Sequence, residues 1–173
     1  MPNLHDHCSY CGAAYAAGAP WPRACVACAN ITYRNPLPVA VALVPVGDGL
    51  LLVRRAIAPI GKLALPGGFI DHDETWQEAM AREVLEETGV DLDPASLREH
   101  AVRSSPAGHL LVFGIAPTVS AKRLPTFHPS AEVSERVVAT TPPDDVAFPL
   151  HDELIRAYFA DGRRAGTIPP WRH

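Results

Sequence analysis

Five glutamates fall between positions 68 and 90, and three of them, Glu83, Glu86 and Glu87, are spaced to act together. Thr75 followed by Glu78 is a capping box, so a helix is predicted to begin at Trp76. Gly89 suits the left-handed position that ends such a helix. At about 100° per residue, Glu87 lies about 40° from Glu83 and Glu86 about 60° to its other side, within one stripe. Three carboxylates so placed repel one another at neutral pH. A solvated acidic face is the plain alternative, but such a face usually interleaves lysines, and here only Arg82 is available. Hard oxygen donors on one rigid element are what Mg2+ or Mn2+ takes, above all where phosphates complete the shell.

A second constellation lies near the N-terminus. The chain's four cysteines, Cys8, Cys11, Cys25 and Cys28, form two C-x2-C pairs separated by thirteen residues. This is a four-thiolate zinc pattern, and thiols in a cytosolic chain stay reduced. Reactive or disulfide-bonded cysteines are the alternative. His5 and His7 stand near enough in sequence to compete as ligands, although flanking histidines are more often surface residues. Gly12 permits the tight bend that a zinc knuckle needs. Four protein ligands leave no open position, so the site is structural. A segment this short draws its folding free energy, on the order of 10 kcal/mol, from the metal.

The glutamate stretch carries a resemblance. Gly68, five residues, Glu74, seven residues, then Arg82-Glu83-Val84-Leu85-Glu86-Glu87-Thr88-Gly89-Val90 matches the Nudix box, G-x5-E-x7-R-E-U-x-E-E-x-G-U. All nine defined positions agree, with Val84 and Val90 as the bulky aliphatics. The chain therefore resembles the Nudix hydrolases. That resemblance implies an α/β/α sandwich with a mixed sheet, preceded by a small zinc ribbon. The expected division is a ribbon over 1–34, a Nudix domain over 35–162 and a tail over 163–173.

The resemblance also assigns roles. Glu83, Glu86 and Glu87 would bind Mg2+ or Mn2+, with a backbone carbonyl at Gly67 as a further ligand. The bare Gly67-Gly68 loop would let a diphosphate approach. Arg82 looks like the residue that orients a metal-binding carboxylate, and Glu74 resembles the structural glutamate that ties loop to helix. The implied chemistry is attack by water on a pyrophosphate linkage. Glu132 and Glu135 are candidates for the base, a loop salt bridge being the plainer account of either.

A four-cysteine ribbon ahead of a Nudix domain is similar to the NADH pyrophosphatase branch, which carries a downstream S-Q-P-W-P-F-P-x-S motif. The matching region here is Ser104-Ser105-Pro106-Ala107-Gly108-His109-Leu110, in which both aromatics are gone and no stacking surface for a base is evident. The expected substrate is a nucleoside diphosphate linked to another moiety, NADH-like or ADP-ribose-like. Two other readings stand beside it: a nucleotide-sensing module that does not cleave, and an enzyme removing NAD-type caps from RNA. The resemblance leaves a homodimer open.

Composition bounds these readings. With 173 residues and a net charge of -4, the chain is long enough for a real core and lacks the basic footprint of a general nucleic-acid binder. Arg23 and Arg34 make at most a local basic spot on the ribbon. No apolar run reaches the roughly 18 residues of a membrane span, and a cytoplasmic location is expected. Eighteen prolines predict short elements and stiff connections.

The elements that must position these residues follow from patterning. Asn30 to Pro38 reads as an extended link. Val39 to Val46, almost continuously apolar, is predicted to be a strand covered on both faces, with a turn at Gly47-Asp48-Gly49 and a return over Leu50 to Arg54. A short strand over Lys62 to Leu65 delivers the glycine pair, and Trp76, Ala79, Met80 and Val84 form the apolar stripe of the helix. Further strands are expected over Leu97 to Arg103, Leu110 to Ile115 and Val133 to Ala139, with a long loop over 117–131. A last helix runs from Leu150 to Ala160 and ends at Gly162, before a basic, proline-rich tail.

Overall fold

The computed structural model describes residues 5–160, so the expected stop at Gly162 and the tail over 163–173 lie outside the described residues. The chain forms two compact units, Met1–Pro36 and Leu37–His173. In the first, β1 (Arg23–Ala24) pairs antiparallel with β2 (Ile31–Thr32). The expected link over Asn30 to Pro38 is thus not irregular throughout. Its start closes this small ribbon, and its end, Leu37-Pro38, already belongs to the next strand.

In the second unit the apolar run becomes β3 (Leu37–Leu43), followed by β4 (Pro45–Val46). Its side chains divide by alternation, as a strand requires. Ala40, Ala42 and Val44 join one core cluster, with Met80 and Val84 of helix α1 (Trp76–Thr88). Val41 and Leu43 join another, with Leu154 and Ile155 of helix α2 (Pro149–Ala160). A strand with a helix on each face has no polar side to show, which is why the run lacks alternation. At about 1.5–3 kcal/mol for each large apolar side chain, these two clusters carry most of the hydrophobic stabilisation.

The strands of this unit form two four-stranded sheets, one of them the mixed sheet expected. One has the order β7-β3-β9-β8, with β7 (Gly67–Phe69), β8 (Arg98–Ser104) and β9 (His109–Ile115). It is mixed: β3 runs parallel to β9 and antiparallel to β7. The other is antiparallel and centred on β5 (Gly49–Arg55), which pairs with β4, with β6 (Leu63–Ala64) and with β10 (Val133–Ala139). The loop over 117–131 contains a short 3-10 turn at Ala121–Arg123. No helix among the described residues is long and apolar enough to cross a membrane.

Helix α1 has the predicted bounds because its ends are set locally. The Thr75 hydroxyl accepts from the Glu78 N–H, the Glu78 carboxylate accepts from the Thr75 N–H, and Gly89 ends the helix at φ 76°. Its buried residues, Ala79, Met80, Ala81, Val84 and Thr88, leave the glutamate stripe on the other side. Arg136 of β10 secures the far end, donating to the Thr88 carbonyl at 2.6 Å and the Pro125 carbonyl at 2.7 Å.

Candidate active site

The glycine pair is not a loop but the start of β7. Gly67 pairs with Val41 and Gly68 with Ala40. A side chain on Gly67 would collide with the backbone of Ala40 and Val41, and one on Gly68 would run into the Glu83 carboxylate. The two glycines therefore serve different ends: the first lets β7 close on β3, and the second makes room for a glutamate.

Arg82 knits three segments together. It grips Glu74 through Nη2 to Oε1 at 2.7 Å and Nε to Oε2 at 3.2 Å. Its Nη1 donates to Glu83 Oε1 at 2.7 Å, and its Nη2 donates to the Phe69 carbonyl at 3.0 Å. Glu74 Oε1 also accepts the Asp71 N–H at 2.8 Å. Arg82 first, then the Asp71 amide, hold the Glu74 carboxyl below its usual range. Glu74 in turn raises the guanidinium of Arg82 further.

The three stripe glutamates differ in surroundings. Glu87 Oε2 accepts the Gly67 N–H at 3.0 Å. Burial pushes its pKa up to about 7; the Gly67 amide and Arg55 oppose this, and the charges of Glu83 and Glu132 add to it. Glu83 is also raised, by burial first, against the pull of Arg82 and with Glu86 and Glu132 adding to it. Glu86 is 60% exposed, with Oε2 3.7 Å from Arg82. Their carboxylates do not converge on one point: among the described residues only the four cysteines bring three or more ligand atoms within 4.8 Å of one another. The glutamates instead offer separate oxygens along the stripe, a layout suited to an ion that keeps water and phosphate oxygens in its shell.

The two candidate bases separate cleanly. Glu135 Oε2 takes the Arg54 Nε–H at 2.7 Å, and Arg54 also holds Asp145 at 2.9 Å. Glu132 lies closer to the stripe, since its charge bears on both Glu83 and Glu87.

A cavity of about 720 Å³ opens beside Glu87 and the glycine pair. Residues 105–107 and His109 line it, as does Arg55. Sequence reasoning found no stacking surface here, and the structure supplies one from elsewhere. Phe69 of β7 meets His109 edge-on at 5.7 Å, and Phe148, just before α2, lies under the Arg55 guanidinium at 4.9 Å. His151 of α2 completes the wall, its Nδ1 accepting the Leu65 N–H at 3.2 Å. These residues are far apart in the chain, and no local pattern in the sequence joins them.

In the first unit the sulfurs of Cys8 and Cys28 are 3.7 Å apart and those of Cys11 and Cys25 3.6 Å. Two sulfurs at the Zn–S distance of about 2.3 Å in tetrahedral geometry would stand about 3.8 Å apart. All four cysteines are free thiols, far from the S–S bond length of about 2.05 Å. Burial works against ionising Cys8, but backbone N–H groups of Tyr10 and Cys11 outweigh it and bring the thiol down to about 6. Gly12 at φ 76° and Ala29 at φ 61° turn the chain after the two pairs. His5 stacks edge-on against Trp21 at 5.5 Å, and neither it nor His7 belongs to the sulfur cluster.

The arrangement is that of a fold holding an acidic helix against a glycine strand beside a nucleotide-sized cavity. Residues 36–161 match the NUDIX domain model, and the chain belongs to the Nudix family. It is 32% identical over 87 residues to the NAD-capped RNA hydrolase NudC of Shigella flexneri, covering 50% of this chain and 34% of that protein. It thus spans about a third of the length of the curated relatives it matches. Among solved structures, a NUDIX hydrolase from Nitrosomonas europaea superposes with a TM-score of 0.72 at 29% identity, over 92% of this chain and 93% of that one. The NUDIX domain of Shewanella oneidensis NrtR, complexed with ADP ribose, shares the fold at a TM-score of 0.59 and 22% identity, over 75% and 90% of the two chains.

Proposed function

We propose that this chain is a metal-dependent pyrophosphohydrolase that cleaves the diphosphate linkage of a nucleoside diphosphate joined to another moiety, NADH-like or ADP-ribose-like. Glu83, Glu86 and Glu87 would hold Mg2+ or Mn2+, with the Gly67 carbonyl as a further ligand. A cation held there would supply neutralisation of phosphate oxygens and a more acidic water. The observation that carries this reading is Glu87: a carboxyl raised to about 7 by burial and by neighbouring negative charge, in a setting that favours a cation.

The chain's own residues do the rest. The Gly67 amide and Arg82 fix Glu87 and Glu83 in place, so little is lost to reorganisation. Glu74 acts through Arg82 rather than on substrate. The bare backbone of Gly67 and Gly68 faces the diphosphate, and Glu132 takes the proton from the attacking water. Glu135 is committed to Arg54 and is left a structural role. Zinc on the four cysteines supports the fold of the first unit.

The test is a panel of NADH, ADP-ribose and NAD-capped RNA with Mg2+ or Mn2+, scoring mononucleotide products. Cleavage of the free compounds supports the proposal. Cleavage of capped RNA alone would favour the second reading, which the name of the NudC relatives favours and the net charge of -4 opposes. Tight binding without products would point to nucleotide sensing.

A further inference from the structure

One side chain joins the helix that carries the stripe glutamates to the segment that carries Glu132. Helix α1 has no basic residue in its last turn, so nothing of its own offsets the partial negative charge of its last carbonyls. Arg136, from β10, comes to that end instead. Its Nη1 donates to the carbonyl of Thr88, the residue after Glu87, and its Nη2 donates to the Pro125 carbonyl. Among the described residues it forms no ion pair, unlike Arg54, Arg82, Arg103 and Arg156. A part-buried guanidinium given over to two main-chain carbonyls is a tie between backbones.

Pro125 and Arg136 bound one stretch of chain, so the same guanidinium pins both ends of it to α1. Within that stretch the Phe127 ring lies under the Arg136 guanidinium at 5.7 Å. Pro125 sits close to the helix end, where a Cβ on Gly89 would stand 3.3 Å from its Cγ. Glu132 rides on the same stretch. Its carbonyl accepts the Ala56 N–H at 2.7 Å, and its own N–H donates to the Ser130 hydroxyl at 3.2 Å. The charge of Glu132 bears on Glu83 and Glu87, so repulsion works to part the stretch from the helix. Arg136 opposes that separation from the helix end. We propose, resting on the hydrolase reading above, that Arg136 is a positioning residue for the reaction: by holding the Glu132 stretch against the end of α1, it sets where the proton acceptor stands relative to the metal-binding carboxylates. It acts through Glu132 and needs no contact with substrate or ion.

The experiment compares Arg136→Met and Arg136→Lys with the wild type in the full chain, each alone and combined with Glu132→Gln. Turnover is followed with Mn2+ and either ADP-ribose or NADH, whichever the wild type cleaves. Arg136→Met should lower kcat about 10- to 100-fold while KM and Mn2+ affinity change by less than about threefold. Lysine reaches one carbonyl at a time and should restore part of kcat. In the Glu132→Gln background the loss should shrink to about twofold or less, because the residue acted through is already gone. Amide exchange, read without metal or substrate, should quicken about tenfold in Arg136→Met at Ala56, which is bonded to the Glu132 carbonyl, and at Gly89. Exchange in β3 should not change. An equal loss of kcat in both backgrounds, or a lowered melting temperature with kcat kept, overturns the proposal. If the methionine variant fails to fold, the lysine variant carries the same comparison at smaller amplitude. A wild type that cleaves neither compound, with exchange responding as stated, would sink the hydrolase reading alone, whereas exchange unmoved at both amides sinks the tie itself.

Discussion

The Glu83 carboxylate lies where a side chain on Gly68 would have to go. This one contact explains why the glutamate stripe and the glycine strand come as a pair: the carboxylate is wedged between Gly68 and Arg82, and nothing larger than hydrogen leaves it there.

Substituting the two glycines should therefore separate stability from function. Gly68→Ala displaces a flexible side-chain end, so its melting temperature should fall little while Mn2+ affinity and turnover drop at least about tenfold. Gly67→Ala meets rigid backbone at φ 155° and should cost about 2 kcal/mol or more in denaturant unfolding. Equal destabilisation by both would contradict this division.

Glu87 makes metal binding depend on pH. Its folded pKa of about 7 lies above the ordinary 4.5, so the metal-free chain gains stability from the protonated form at low pH and loses it as pH rises through about 7. A cation must displace that proton below pH 7, so apparent Mn2+ affinity should fall about tenfold per unit below it. Thermal melts with and without Mg2+ should show a larger stabilisation at pH 8 than at pH 5.5. Glu87→Gln should flatten the difference.

His151 works with the opposite sign. Its folded pKa of about 4 lies below the ordinary 6.5, so its contribution is whole above 6.5 and lost as pH falls toward 4. The full loss is roughly 3 kcal/mol for a group so deeply buried. Urea unfolding at pH 7 and pH 4.5 should show a steeper decline in the wild type than in His151→Asn. Comparing the two proteins cancels the contrary trend from Glu87.

Much of this was legible in the chain because it is local. The capping box at Thr75 and Glu78 and the stop at Gly89 fix α1 without tertiary help, and the apolar run of β3 declares two buried faces. The strand at Gly67–Phe69 was not legible, since two glycines have no strand propensity and only pairing with β3 makes them extended. Likewise Glu132 and Glu135 look alike in sequence, and only the distant Arg54 tells them apart. The aromatic wall was missed because it joins Phe69, His109 and Phe148 across three separate elements.

Removing zinc should reach only one unit. A chelator is expected to release about one zinc per chain and unfold the ribbon, seen as lost amide protection around Cys8 and Cys25. Protection in β3 and α1 should persist. Global unfolding on chelation would show that the two units are not independent in stability.

The most direct measurement is anomalous scattering from crystals soaked with Mn2+ and a non-hydrolysable dinucleotide diphosphate. The account predicts manganese peaks in contact with carboxylate oxygens of Glu83, Glu86 and Glu87 and with the diphosphate. A diphosphate seated in the cavity with no peak at those glutamates would contradict it.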